Sequence, residues 1–184
     1  PSPNPFMVNR PGALTVDASG AVFVAYFNAV LGTAGIMKFT GTGVLVTEWS
    51  TGGQTGGLAT DAAGNVHATL FGSIKKFTND GALLTQWSAA ENIYGIAIDA
   101  GNSVYVSDVG NDRILKFTDD GTLLAQWGSL GSGDGQFNDP RGVAVDTDGN
   151  VYVVDSVNQR IQKFGAVSTP TKTTSWGRLK RLYR

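Results

Sequence analysis

The sequence predicts an all-β protein, a β-propeller of four-stranded antiparallel blades, with about four blades in this chain. One pattern recurs four times along the 184 residues at a period of roughly 40 residues, which indicates an array of one small structural unit. Each copy contains about four runs of Val, Ile, Leu, Tyr and Phe bounded by Gly, Asn and Asp, which is typical of short strands joined by tight turns. A unit of four antiparallel strands is one propeller blade.

Recurrent residues mark the predicted strands of each copy. The first strand ends at an aspartate in all four copies: Asp17, Asp61, Asp99 and Asp146, which are 44, 38 and 47 residues apart. The third strand ends at a phenylalanine in all four: Phe39, Phe77, Phe117 and Phe164. The fourth strand ends at a tryptophan in the first three, ten residues after the phenylalanine: Trp49, Trp87 and Trp127. Because a reactive site is seldom built four times, we predict that the aspartates accept backbone N–H bonds in the turns that follow them.

Glycine supplies these turns. The chain has 25 glycines, roughly 14% of its residues and about twice the ordinary usage. Many stand in turn dipeptides such as Asp80-Gly81, Asp120-Gly121 and Gly149-Asn150. Tight hairpin turns need positive φ angles, which glycine adopts without steric cost. The glycine excess therefore reflects the large number of hairpin turns in the repeats.

The repeats divide the chain into a Pro-rich lead-in, four blades and a basic tail. The predicted ranges are 1–10 for the lead-in, 11–50, 56–88, 93–129 and 137–165 for the blades, and 166–184 for the tail. The fourth copy lacks the strand that ends in tryptophan elsewhere. Three arrangements fit this pattern: a four-bladed ring, a fragment of a longer protein, or chains that assemble into a complete ring. The sequence begins at Pro1, without an initiator methionine, so we expect a signal peptide or further blades upstream.

The fourth copy carries a family signature. It reads Phe137-Asn-Asp-Pro-Arg-Gly-Val-Ala-Val-Asp146 and then Asn158-Gln-Arg-Ile-Gln-Lys-Phe164, which resembles an NHL repeat, the unit of NHL β-propellers. The resemblance extends over about residues 11–165, although the first two copies lack the Asn-x-Arg element. Propellers of that family usually have six blades, so the resemblance implies that this chain supplies about two blades fewer than a ring.

Composition excludes several classes of protein. With no cysteine, the chain has no disulfide, thiolate zinc site or cysteine nucleophile. Its longest apolar stretch is the seven residues 21–27, too short for a transmembrane helix. The net charge of −1 is the sum of two unequal parts. The tail has five basic residues and a charge of +5, while the remainder has 9 basic and 15 acidic residues and a charge of −6. We therefore expect no nucleic-acid binding by the propeller body.

Few residues suggest catalysis. His67 is the only histidine, and it aligns with the strand aromatics Phe23, Tyr105 and Tyr152, so we predict that it packs as an amphipathic ring. Asp108 with Arg113, and Asp155 with Arg160, are interpreted as ion-pair clips that orient a turn. Some NHL-like propellers are lyases with a histidine-ligated zinc, and one histidine cannot build a three-histidine site. We expect no catalytic residue, metal or cofactor.

The family resemblance also implies a binding site. In such rings the central opening is lined by the residue before each first strand and by those after each second strand. The candidates at these positions are Tyr26, Tyr94, Asp108, Arg141 and Asp155. We interpret the chain as a non-catalytic binding or assembly module that recognises a protein, peptide or glycan through its loop face, or self-associates into an oligomer. The alternative is a lyase or lactonase with a metal-dependent site on the propeller axis.

The tail is the second candidate interaction element. Trp176, Leu179, Leu182 and Tyr183 have helical spacing, so residues 175–184 could form a short basic amphipathic helix that docks on a partner surface. The stretch 167–176 is interpreted as a linker or, alternatively, as a poor outer strand of the fourth blade. The ending resembles those of some bacterial exported proteins, from which we expect an extracytoplasmic location in a bacterium.

Overall fold

The computed structural model describes residues 10–165 and the backbone of residues 180–181, which form four antiparallel sheets of four strands. In each sheet every strand pairs with the next one along the chain. A single 3₁₀ turn, Val109–Asn111, is the only helical segment among the described residues. The prediction of an all-β propeller with four four-stranded blades is confirmed.

The sheets are named blades 1 to 4 in chain order. Blade 1 contains β1 (Pro11–Val16), β2 (Val22–Asn28), β3 (Thr33–Phe39) and β4 (Leu45–Ser50). Blade 2 contains β5 (Thr55–Thr60), β6 (Val66–Leu70), β7 (Ser73–Phe77) and β8 (Leu83–Ser88). Blade 3 contains β9 (Ile93–Ile98), β10 (Val104–Asp108), β11 (Arg113–Phe117) and β12 (Leu123–Trp127). Blade 4 contains β13 (Pro140–Val145), β14 (Val151–Asp155), β15 (Arg160–Phe164) and β16 (Lys180–Arg181).

The aspartates that end the first strands hold the following turns, as predicted. In blade 2, Asp61 Oδ1 accepts the backbone N–H groups of Ala63 and Asn65 at 3.0 and 2.8 Å. The aspartates of the other three blades accept two backbone N–H bonds in the same way. These bonds satisfy turn amides and fix the hairpin between the first two strands of each blade.

The hydrophobic core lies between the blades. Each blade has a back side, which faces the next blade in the chain, and a front side, which faces the preceding one. The back side of blade 1 and the front side of blade 2 share one cluster, and two similar clusters join blades 2 and 3 and blades 3 and 4. The core is therefore a stack of three junctions, each built from equivalent residues.

The first strands approach one another closely because glycines stand at the contact. A Cβ added to Gly57 would lie 2.6 Å from the carbonyl oxygen of Tyr94, and one added to Gly95 would lie 2.2 Å from that of Arg141. Thr69 cross-links the same region, since its hydroxyl accepts the Gly57 N–H at 2.8 Å and donates to the Tyr94 carbonyl at 2.7 Å. A side chain at either glycine would separate neighbouring blades.

A tryptophan closes the outer part of each junction. The Trp87 ring lies 6.2 Å from His67 of its own blade and 6.4 Å from Phe117 of the next, measured between ring centroids. The hairpin of blade 3 covers this ring with Gly121, where an added Cβ would lie 2.4 Å from Trp87 Cγ. The equivalent tryptophans of the other two junctions are Trp49 and Trp127.

The fourth strand of blade 4 comes from the tail. Lys180 and Arg181 pair with Lys163 and Gln162 of β15, so the backbone here is a strand and not part of the amphipathic helix expected for residues 175–184. The outer edge of β15 offers unpaired backbone groups, which a passing chain segment can satisfy as a strand. The predicted docking residues Trp176, Leu179, Leu182 and Tyr183 lie outside the described residues, and their role stays a prediction.

The four blades form an open arc. The first strands pack in chain order, β1 on β5, β5 on β9 and β9 on β13, while β13 and β1 make no comparable contact within residues 10–165. A closed four-bladed ring is therefore not the arrangement of the described residues. No helix in the described ranges is long and apolar enough to cross a membrane.

Candidate functional site

The residues predicted to face a ligand stand at one end of the blades. The turns between second and third strands lie beside the starts of the first strands at this end. Backbone hydrogen bonds join the two sets: Phe27 N–H to Arg10, Val109 N–H to Asn92 and Val157 N–H to Asn138, at 3.3, 2.8 and 3.1 Å. We call this end of the propeller the loop face.

The predicted clip in blade 3 is present. Asp108 Oδ2 accepts the Arg113 Nε–H at 2.7 Å, and both carboxylate oxygens accept Asn111 Nδ2–H at 2.9 Å. The Asp108 side chain is fully buried. Its charge is compensated inside the blade, as a buried carboxylate requires.

The equivalent clip in blade 4 is larger. Asp155 accepts hydrogen bonds from Arg160 Nε at 2.7 Å, from Gln162 Nε2 at 3.0 Å and from the Asn138 backbone N–H at 2.8 Å. Arg160 also donates to the carbonyl oxygens of residues 132, 133 and 136, which fixes the connection that leads into blade 4. Asn158 of the same motif donates to the Gly131 carbonyl oxygen and to Asp155. The Asn-x-Arg motif therefore holds the connection between blades 3 and 4 in place.

This burial corrects the expectation that Asp108 and Asp155 face a ligand. Both side chains have no exposed surface, because the asparagine and arginine side chains that bond to them also cover them. In this structure neither carboxylate is accessible from the loop face.

Tyr94 and Arg141 do come together on the loop face. The Arg141 guanidinium carbon lies 5.6 Å from the centroid of the Tyr94 ring, within the range of a cation–π contact. Asp139 accepts the Arg141 Nε–H at 2.8 Å and steadies the guanidinium. Both side chains are about half exposed, so the pair presents an aromatic ring and a positive charge to solvent.

Tyr26 belongs to a different junction. It lines a small cavity between blades 1 and 2 together with Arg10, Gln54 and Thr55. Burial, aided by the negative charge of Glu48, raises the pKa of the Tyr26 hydroxyl above its ordinary value. The five predicted residues thus divide into two buried clips, one exposed pair and one cavity residue.

Sequence reasoning missed a set of apolar side chains on the loop face. Val30 and Phe71 are 84% and 80% exposed, and Leu31 and Val157 are also exposed. All four stand in turns between second and third strands, in blades 1, 2 and 4. The signal was available, because a large apolar residue inside a turn has no packing role that explains it.

A charged cluster lies at the opposite end, between blades 2 and 3. His67 Nε2 is 3.6 Å from Asp61 Oδ2 and 3.4 Å from Asp119 Oδ1, and this is the one group of potential metal ligands in the described part of the chain. The Lys76 ammonium stands between the same carboxylates, 3.0 Å from Asp61 and 2.5 Å from Asp119. The lysine thus fills the place that a metal ion would take.

The pKa shifts in this cluster agree with an ion-pair network. Although burial raises the pKa of Asp61, hydrogen bonds from Asn65 and Lys76 outweigh it and hold the value at about 2. Burial, reinforced by the Lys76 charge, lowers the pKa of His67. The ring is fully buried, and neither of its nitrogens has a hydrogen-bond partner. His67 therefore occupies its strand position as a neutral ring.

Comparisons with known proteins agree with the fold. A family model described as NHL repeat matches residues 137–164. No curated protein sequence matches the chain. A streptogramin B lyase structure superposes on 92% of this chain and 53% of its own, at 18% identity and a TM-score of 0.69. A catalytically inactive virginiamycin B lyase from Staphylococcus aureus with quinupristin superposes on 86% of this chain and 56% of its own, at 19% identity and a TM-score of 0.62.

A third solved structure, a protein of unknown function from Bacteroides caccae, superposes on 94% of this chain and 61% of its own, at 14% identity and a TM-score of 0.67. The chain thus spans between 53% and 61% of the length of these three structures. At these identities the likeness shows the propeller fold.

Proposed function

We propose that this propeller is a non-catalytic binding module that takes a protein or peptide on its loop face. The observation that carries the proposal is the row of exposed apolar side chains in successive turns of that face, represented by Val30, Leu31 and Phe71. Exposed apolar groups cost free energy in water, and where they cluster they usually serve an interface. A glycan would gain less from aliphatic side chains than a peptide would.

The pair formed by Tyr94 and Arg141 supports the same function. Tyrosine and arginine are enriched among the residues that dominate binding energy at protein interfaces. Their cation–π contact holds both side chains in place before a partner arrives, which lowers the entropy lost on binding. The Arg141 charge favours a partner segment that combines a carboxylate with apolar side chains.

The test is selection of peptides on the immobilised full chain from a library of random twelve-residue peptides, followed by measurement of dissociation constants. Phe71→Ser and Tyr94→Ser should each weaken the selected peptides at least ~10-fold, since each removes a contact surface. Leu124→Ser is the matched control, because Leu124 is exposed on the outer strand β12 and should be neutral. Peptides that bind both loop-face variants as tightly as the parent chain would contradict the proposal, and so would a library that yields no binder.

The enzymatic alternative has one support, the likeness in fold to the streptogramin B lyases. The single histidine, His67, is buried at the end opposite the loop face, and the Asp108 and Asp155 carboxylates are engaged in clips. We expect no conversion of quinupristin by the chain, with or without added Mg²⁺ or Zn²⁺, when the mixture is followed by mass spectrometry. Conversion that depends on the chain would establish the alternative.

A further inference from the structure

The back side of blade 4 carries the residues of a blade junction without a blade to cover them. Ile161 is 52% exposed, whereas the equivalent isoleucines of blades 1 to 3, which lie inside the three junctions, have no exposed surface. Those residues are Ile36, Ile74 and Ile114. Val154 is likewise exposed, while its counterparts in the other blades are buried: Ala25, Thr69 and Ser107.

The front side of blade 1 is the complementary case. Leu14 is 67% exposed, whereas its counterparts Leu58 and Ile96 are 6% and 7% exposed because the preceding blade covers them. Val16, two residues further along β1, is exposed on the same side. The arc therefore displays one half of a junction at each end.

These two halves belong to the same kind of interface. In every internal junction an isoleucine on a back side and a leucine, isoleucine or valine on the next front side belong to, or pack against, the same apolar cluster. We infer that a second copy of this chain docks the front side of its blade 1 on the back side of blade 4. Two identical joints of this kind then close a ring of eight blades, within the range known for propellers.

The two described residues of the tail lie at the edge of the blade 4 sheet and not on its back side. Lys180 and Arg181 extend the sheet at the edge of β15, and their backbone pairs in the plane of the sheet. A strand in this position lengthens the blade and adds area for a docking partner. The occupant of the exposed side is thus a whole blade, as it is in the three junctions within the arc.

The first test is the mass of the full chain in solution by sedimentation velocity, at concentrations from ~1 to ~100 µM, which covers the affinity range of ordinary homodimers. We expect a species of twice the 19.3 kDa chain mass. Ile161→Asp and Leu14→Asp should each raise the dissociation constant at least ~100-fold, because docking would bury an unpaired carboxylate. Leu124→Asp, at a position of similar exposure on an outer strand, should leave the dimer intact.

Mixing the two variants separates a front-to-back joint from other contacts. Ile161→Asp keeps a normal front side and Leu14→Asp keeps a normal back side, so an equimolar mixture should form a dimer through one intact joint while each variant alone remains a monomer. A parent chain that stays monomeric at ~100 µM, or a mixture that forms no dimer, overturns the inference. A dimer that survives both substitutions overturns it as well.

Discussion

At the scale of single residues, the second strand shows how one position changes between blades. Tyr105 and Tyr152 each donate a hydroxyl hydrogen bond to the aspartate of their own blade, at 2.9 and 3.0 Å. Phe23 fills the same position in blade 1 with a ring that has no polar atom. His67 keeps two buried nitrogens without hydrogen-bond partners. This arrangement costs free energy relative to a hydrogen-bonded tyrosine or an apolar phenylalanine at the same position.

The lowered pKa of His67 makes the stability of the fold depend on pH. Burial and, to a smaller extent, the Lys76 charge favour the neutral His67 ring in the folded state. Below the ordinary histidine pKa of about 6.5, the unfolded chain therefore takes up a proton at this residue more readily than the folded chain does. The free energy of unfolding should therefore be constant above pH 7 and fall as the pH decreases from 6.5 to 5. Asp61 remains ionised across this window, because its pKa is held at about 2.

Urea denaturation at pH 7.5, 6.0 and 5.0 checks this expectation, with His67→Phe as the matched variant. The variant should lose the decline between pH 6.5 and 5, because it has no group that titrates there. At pH 7.5 it should be more stable than the parent by ~1 kcal/mol, since two unsatisfied buried nitrogens are removed. An identical decline in parent and variant would assign the pH dependence to other groups.

Residue contacts could be predicted from the sequence where they are local. Asp108 and Arg113 are five residues apart in a repeated pattern, and their ion pair follows from that spacing. The contact between His67 and Asp119 joins positions 52 residues apart (119 − 67), across a blade junction, and no local pattern indicates it. The burial of Asp108 was missed although its partners Asn111 and Arg113 are local, because a carboxylate beside a turn looks exposed until those side chains are placed over it.

At the scale of elements, the hairpins between third and fourth strands anchor blades 2 and 3 to the blades that precede them. Gly121 lies in such a hairpin with φ +93°, directly over Trp87. Gly20 has a similar φ of +84° in the first hairpin of blade 1, where an added Cβ would meet nothing within 4 Å. Substitution of each glycine by alanine therefore distinguishes the cost of backbone strain, which both positions share, from the cost of a steric clash, which arises only at Gly121.

Gly121→Ala should lower the free energy of unfolding by ~3 kcal/mol or more, because it combines a strained φ with displacement of a buried ring. Gly20→Ala should cost only ~1 kcal/mol, the strain alone. Chemical denaturation of both variants measures the difference. Equal losses would mean that the Trp87 contact adds nothing to the stability of the junction.

Element boundaries follow the sequence closely, because Gly, Asn and Asp punctuate the strands and set the hairpins. The tail is the exception. Its helical spacing of apolar residues predicts a helix, whereas Lys180 and Arg181 lie in a strand. The pattern of a segment alone carries no information about the open edge of β15, which is formed by residues some twenty positions earlier and favours a strand.

At the scale of the whole molecule, the described residues pack blades 2 and 3 on both sides and blades 1 and 4 on one side only. In dilute solution the amide hydrogens of β6 and β10 should exchange at least ~10-fold more slowly than those of β2 and β14, because an outer blade can open by breaking a single junction. Hydrogen exchange followed by mass spectrometry of peptides measures these rates. Uniform protection across the four blades would instead indicate one cooperative opening of the arc.

The number of blades could be predicted from the sequence, while their closure could not. Four copies of the repeat give four blades, and the equivalent positions in each copy give the composition of each junction. The same positions recur at both ends of the arc, so Leu14 and Ile161 have the pattern of buried residues although the described chain leaves them exposed. The residues of each repeat are enough to identify a blade. Closure of the ring depends instead on what lies beside the outer blades.

The placement of the tryptophans has an optical consequence. Trp49, Trp87 and Trp127 are each confined to a different junction, between aromatic rings of two blades. The protein thus carries a separate intrinsic fluorophore at every internal joint. Replacing Trp176 and two of these three tryptophans by phenylalanine leaves one emitting tryptophan, whose signal changes when its own joint separates. The order in which the joints open can then be measured without any added label.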